Sequence, residues 1–176
     1  MIKRETRGFA VVNFTYRLAP AYKYPAQLED TCKVFSWASE NAEEYGFDIP
    51  SKLLPKAVAL NCGMYDVTKK GLTGNLIRDL MPQKGTEEEL QLITPVLHLN
   101  SSFPPSYIMT AEKDFLKDDA MKLHSILDDL GVRNEYHLYD NRDHSLGHVF
   151  HLNIRLEDAI KCNDEECDFF RKQLIL

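Results

Sequence analysis

At 176 residues, with 44% hydrophobic, 10% aromatic and 27% charged residues, the chain has the composition of a single globular core, which excludes disordered and fibrous classes. A chain of this size can bury roughly 70% of its unfolded surface. Its net charge of -6 comes from 21 Lys and Arg against 27 Asp and Glu, and the basic residues are scattered, so no nucleic-acid partner is expected.

The start, MIKRETRGFAVVNF, has neither the long apolar stretch nor the small-residue cleavage site of an export signal. No segment reaches the ~18 apolar residues that span a bilayer, so no membrane span is expected. A cytoplasmic address follows as the expectation, with Cys32, Cys62, Cys162 and Cys167 reduced.

In chain order, Phe9 to Phe14 (FAVVNF) predicts a buried strand of a parallel sheet. From Pro25, apolar residues at Leu28, Cys32, Phe35, Trp37 and Ala38 recur at near-helical spacing up to Gly46, which predicts an amphipathic helix with its apolar side in the core. Lys56 to Tyr65 (KAVALNCGMY) predicts a second strand, turning at Gly63. Residues 68–102 contain helix-like pieces at Leu76 to Met81 and Glu87 to Leu92, broken by glycine and proline, and predict a helical excursion over the sheet. Ser106 to Thr110 is a third strand, Asp118 to Leu130 a helix stopped by Gly131, and Glu135 to Tyr139 a fourth strand. A last helix is expected to bury Ala159, Cys167, Phe170 and Leu174. Alternation of strand and helix predicts an α/β fold, a mostly parallel sheet flanked by helices, with ligands at the carboxyl ends of the strands.

Two residues carry the chemistry. Asp114, in AEKDFLKDD, follows the third strand by a few residues, and His148, in LGHVFH, follows the fourth. A neutral imidazole there can accept a hydroxyl proton while a buried carboxylate fixes its tautomer. Local sequence alone leaves open that Asp114 or Asp118 caps the following helix; Asp118 is the better placed of the two, which frees Asp114. His144, His148 and His151 form a weak metal pattern, because Gly147 disfavours a continuous helix and there is no HExxH motif. No metal or cofactor is expected. Cys62, Cys162 and Cys167 read as packing residues.

YRLAP at Tyr16 to Pro20, Pro25 and Asp30 downstream, D-x-L-x-D at Asp114 to Asp118 and the terminal HVFH together resemble the hormone-sensitive-lipase-like esterases of the α/β-hydrolase fold, from about Gly8 to the C-terminus in the same order. Small bacterial acetyl-esterase-like proteins look most similar. The resemblance implies that Asp114 is the acid and His148 the general base of a Ser-His-Asp triad, with a small-molecule ester as substrate. Ala21 stands where that family usually has Glu, which removes one polar contact.

Two parts of the family pattern are absent. Only fifteen residues precede Tyr16, without the glycine run that supplies oxyanion-hole amides, and FDIPSKLLPK stands where the G-x-S-x-G nucleophile elbow belongs. None of the eight serines lies in that motif, and Ser51, the nearest in position, lacks the flanking glycines. The family's sheet order implies a two-strand gap, which leaves backbone groups unpaired at roughly 1 to 3 kcal/mol each. The chain is therefore expected to be a single partial α/β-hydrolase domain over 1–176, truncated and internally deleted, with little or no activity. Of three origins, a sheet that closes up, a partner that fills the gap, and a fragment or misjoined gene model, the last is favoured. The alternative to an esterase is a noncatalytic binding protein on the same fold remnant, able to self-associate through an exposed sheet edge.

Overall fold

The computed structural model describes residues 2–4, 9–46, 55–68, 74–141 and 145–174. Ser51, His144 and most of the linker FDIPSKLLPK lie outside the described residues. The chain forms two compact units, one of residues 1–54 with 69–92 and one of residues 55–68 with 93–176.

In the first unit, strands β1 (Ile2–Arg4) and β2 (Ala10–Val12) form an antiparallel pair with Lys3 opposite Val11. The expected buried parallel strand at 9–14 is thus corrected. Its middle pairs with the chain's own N-terminus, and Ala10 and Val11 are exposed. Helix α1 (Ala26–Glu40) is followed, across Asn41, by the single turn α2 (Ala42–Tyr45), which Gly46 ends in the left-handed region at φ 68°. Here too the sequence misleads, because Leu28, Phe35 and Trp37 on the expected core side are exposed. The YRLAP segment has a structural task. The Arg17 guanidinium grips Asp30 through Nε (2.9 Å) and Nη2 (2.9 Å) while the Arg17 backbone N–H donates to the same carboxylate (3.0 Å), tying the turn to α1. That grip holds the Asp30 carboxyl well below its usual range. In the excursion, helices α3 (Gly74–Leu80) and α4 (Glu87–Ile93) match the expected pieces. They are held by the Glu89 carboxylate, which accepts backbone N–H groups of Gln83 and Gly85 at 2.8 Å each.

The second unit is a parallel three-stranded sheet in the order β3 (Val58–Asn61), β4 (Ser106–Ala111), β5 (Asn134–Tyr139), with Val58 beside Ser106 and Ser106 beside Asn134. All six residues of β4 are buried because both of its faces are covered. Tyr107, Met109 and Ala111 pack with Ala159, Cys162 and Phe169 of α6 (Glu157–Leu174). Ile108, on the opposite face, packs with Ala120, Leu123 and Leu127 of α5 (Lys117–Asp129), which Gly131 follows at φ 68°. This is a parallel sheet flanked by helices, as the alternation predicts.

Three local expectations fail in whole or in part. Of the residues expected to be buried in α6, Ala159 is buried, but Cys167 and Phe170 are only partly so and Leu174 is 57% exposed; the other buried positions are Cys162, Phe169 and Gln173. Asp118 makes no cap: Leu116 holds the N-cap position of α5 without a side-chain bond. Gly63 likewise does not supply the turn after β3. Cys62 adopts the positive φ (50°), while a Cβ on Gly63 would stand 2.5 Å from the Tyr65 ring.

Candidate active site

Backbone bonds beyond the ends of β4 and β5 bring the candidate residues together. Glu112 N–H donates to Tyr139 O (2.9 Å), and Lys113 N–H donates to Leu146 O (3.1 Å), forming a parallel bridge between Lys113 and Gly147. The next residues on the two segments are Asp114 and His148, and they meet: His148 Nδ1 lies 2.9 Å from Asp114 Oδ1. The Asp114 side chain is fully buried and that of His148 is 35% exposed. The Phe115 ring packs on the imidazole with centroids 4.6 Å apart. An open hollow of about 320 Å³ is lined by Glu112, Lys113, Asp114, Phe115, Lys117 and Asp118.

Burial by itself would raise the Asp114 pKa, yet its carboxyl is held below the ordinary value by hydrogen bonds. Leu116 N–H donates to Oδ1 (2.9 Å) and Thr110 Oγ1 donates to Oδ2 (2.9 Å), with the Cys62 thiol and His148 adding to them. Asp114 therefore both fastens the turn before α5 and presents a charged oxygen to the imidazole. Asp66 and Asp119 are also buried acids, but Asp66 is neutralised by Lys122 at 2.6 Å, which keeps its carboxyl down at about 2.

Cys62 joins this site, although sequence reasoning read it as packing. Its Sγ, a carboxylate oxygen of Asp114 and a ring nitrogen of His148 all lie within 4.8 Å of one another. Burial, reinforced by Asp114, pushes the thiol up to about 12, so it is protonated at neutral pH. Met109 Sδ at 3.9 Å and Asp114 compete for its one proton, and the charged carboxylate is the stronger acceptor. The signal for Cys62 is its place at the carboxyl end of a strand beside β4. That neighbour relation is a long-range fact which spacing does not contain. His151 is half-buried, and its Nδ1 has no hydrogen-bond partner among the described residues.

A buried carboxylate and an imidazole thus stand together just beyond the carboxyl ends of two neighbouring parallel strands. The sequence profile of the α/β-hydrolase fold matches residues 5–60 and 62–149, and the chain belongs to that family, among its hormone-sensitive-lipase-like esterases. It is 26% identical to the versiconal hemiacetal acetate esterase of Dothistroma septosporum, over 76% of this chain and 56% of that protein. It is also 26% identical to the carboxylesterase NlhH of Mycobacterium tuberculosis, over 71% of this chain and 52% of that protein, and to a Salmonella acetyl esterase, over 88% and 60%. The chain thus spans between about half and 60% of the length of these relatives. Among solved structures, the carboxylesterase EstE1 from a metagenomic library superposes with a TM-score of 0.79 at 21% identity, covering 96% of this chain and 70% of that one. The Pyrobaculum calidifontis esterase superposes at 0.78 and 19%, covering 97% and 66%, which shows the shared fold.

The match to the Salmonella enzyme runs over 200 positions yet takes up 88% of the 176 residues, about 155, so about 45 of its positions face gaps inside this chain. The same subtraction leaves about 49 for the Dothistroma protein (183 less about 134) and about 43 for the Mycobacterium protein (168 less about 125).

Proposed function

We propose that the chain keeps the acid and base of an ester-hydrolysing serine triad without a positioned serine, and that by itself it hydrolyses esters little or not at all. The proposal rests on the 2.9 Å contact between His148 Nδ1 and the buried Asp114 carboxylate. In that arrangement Nδ1–H donates to Asp114 and leaves Nε2 free to take the proton of a hydroxyl attacking an acyl carbonyl, while the carboxylate stabilises the imidazolium that forms. Small-molecule esters are the substrate class, in keeping with the acetate and acetyl esterases among the relatives.

The loss of turnover follows from the missing parts. No serine lies in G-x-S-x-G, and Ser106, the buried serine among the described residues, donates its hydroxyl to Pro104 O (2.9 Å). The similar number of gapped positions against three relatives supports an internal deletion large enough to hold a strand, its elbow and a helix.

Hydrolysis of p-nitrophenyl acetate by the purified chain, assayed with a metal chelator present, tests this. The expected rate equals the buffer background and does not change in His148→Ala. A rate far above background that collapses in His148→Ala would overturn the proposal.

A further inference from the structure

We infer that Cys62, Asp114 and His148 form a binding site for one divalent transition-metal ion of the zinc class. A nucleophilic triad is a line, in which the imidazole stands between nucleophile and carboxylate and the outer two groups do not meet. These three residues instead form a triangle. Their ligand atoms all lie within 4.8 Å of one another, and thiol and imidazole converge on the same carboxylate. Cys62 and His148 therefore both approach Asp114 instead of lying at opposite ends of a line.

A triangle of one sulfur, one nitrogen and one oxygen suits a tetrahedral ion, which binds these atoms at about 2.0 to 2.3 Å. Ligand atoms around such an ion are roughly 3 to 4 Å apart by that geometry, so the groups need close in by only about 1 Å. Thiolate and imidazole also select zinc-like ions over magnesium and calcium. The charges balance, since the Asp114 carboxylate and a Cys62 thiolate together neutralise a dication. Binding expels the thiol proton, and if Nδ1 is the ligand atom, the neutral imidazole carries its proton on Nε2. Thr110 Oγ1 and Leu116 N–H hold the carboxylate from behind, the outer support that metal ligands need. The half-exposed His148 provides the entry path and leaves the fourth position towards solvent.

The site does not depend on the esterase reading, and its test needs no ester. The full chain, freed of metal and kept reduced, is titrated with Co²⁺ and followed by absorption. The expected result is a near-ultraviolet thiolate-to-cobalt band that saturates at one ion per chain and is displaced by Zn²⁺. Cys62→Ala should abolish the band. His148→Ala, a change at a half-exposed side chain that leaves the fold intact by circular dichroism, should weaken Co²⁺ binding at least about tenfold, the scale of losses seen even for outer-shell partners. Cys32→Ala, on an exposed side of α1, should change nothing. Absence of the band, its survival in Cys62→Ala, or unaltered affinity in His148→Ala would overturn the inference.

Discussion

Neutralising Asp114 without changing its shape should cost the fold measurable stability, and in a pH-dependent way. In Asp114→Asn four donors, Thr110 Oγ1, Leu116 N–H, His148 Nδ1 and the Cys62 thiol, lose a charged acceptor. A hydrogen bond to a charged group contributes about 1.5 to 3 kcal/mol and a neutral one about 0.5 to 1.5, so the change forfeits about 1 kcal/mol per donor. Relief from burying a charge offsets part of this, which leaves a net loss of about 1 to 3 kcal/mol. With a urea slope of about 1 to 3 kcal/mol/M, the midpoint should fall by about 1 M at pH 7. The Asp114 pKa is depressed in the folded chain, so its contribution is fully present above the unfolded value of about 3.9 and is lost as pH falls through the folded value. The gap between wild type and variant should therefore be smaller at a pH below about 3.9 than at pH 7. Equal midpoints at pH 7, or a gap of the same size at both pH values, would refute the account of Asp114 as a buried, charged acceptor.

The phase of α6 separates two further variants. Phe169→Ala should cost about 3 to 5 kcal/mol, because its ring is fully buried, whereas Leu174→Ala, at 57% exposure, should stay within about 0.5 kcal/mol, both read from urea unfolding. Gly63→Ala brings a methyl group to within 2.5 Å of the buried Tyr65 ring, and a loss of about 1 to 3 kcal/mol in the same assay is expected; no loss would mean the ring moves aside freely.

The second unit was more legible than the first for a physical reason. The continuous apolar run of β4 and the Gly131 stop after α5 are local signals, and neighbouring elements confirm them by covering both faces of one strand. Residues 9–14 carry the same kind of apolar run, but a run says only that a strand forms and leaves its partner undetermined, and here the partner is Ile2–Arg4. Cys167, Phe170 and Leu174 made a plausible apolar stripe, yet Phe169 and the polar Gln173 lie on the side that faces the sheet. Asp114 and His148 were readable because each follows a strand, and the Lys113–Gly147 bridge completes their approach. Cys62 was not, since its role comes from a left-handed backbone angle and from pairing across the sheet.

The grip of Arg17 on Asp30 has a bearing on how such chains are recognised. The YRLAP segment is a fastening between a turn and a helix, well separated along the chain from Asp114 and His148. A badge of kinship can therefore sit in a part of the chain that only fastens the fold. Counting badges enrols members of a lineage; counting enzymes requires asking, chain by chain, whether the reacting atoms are there.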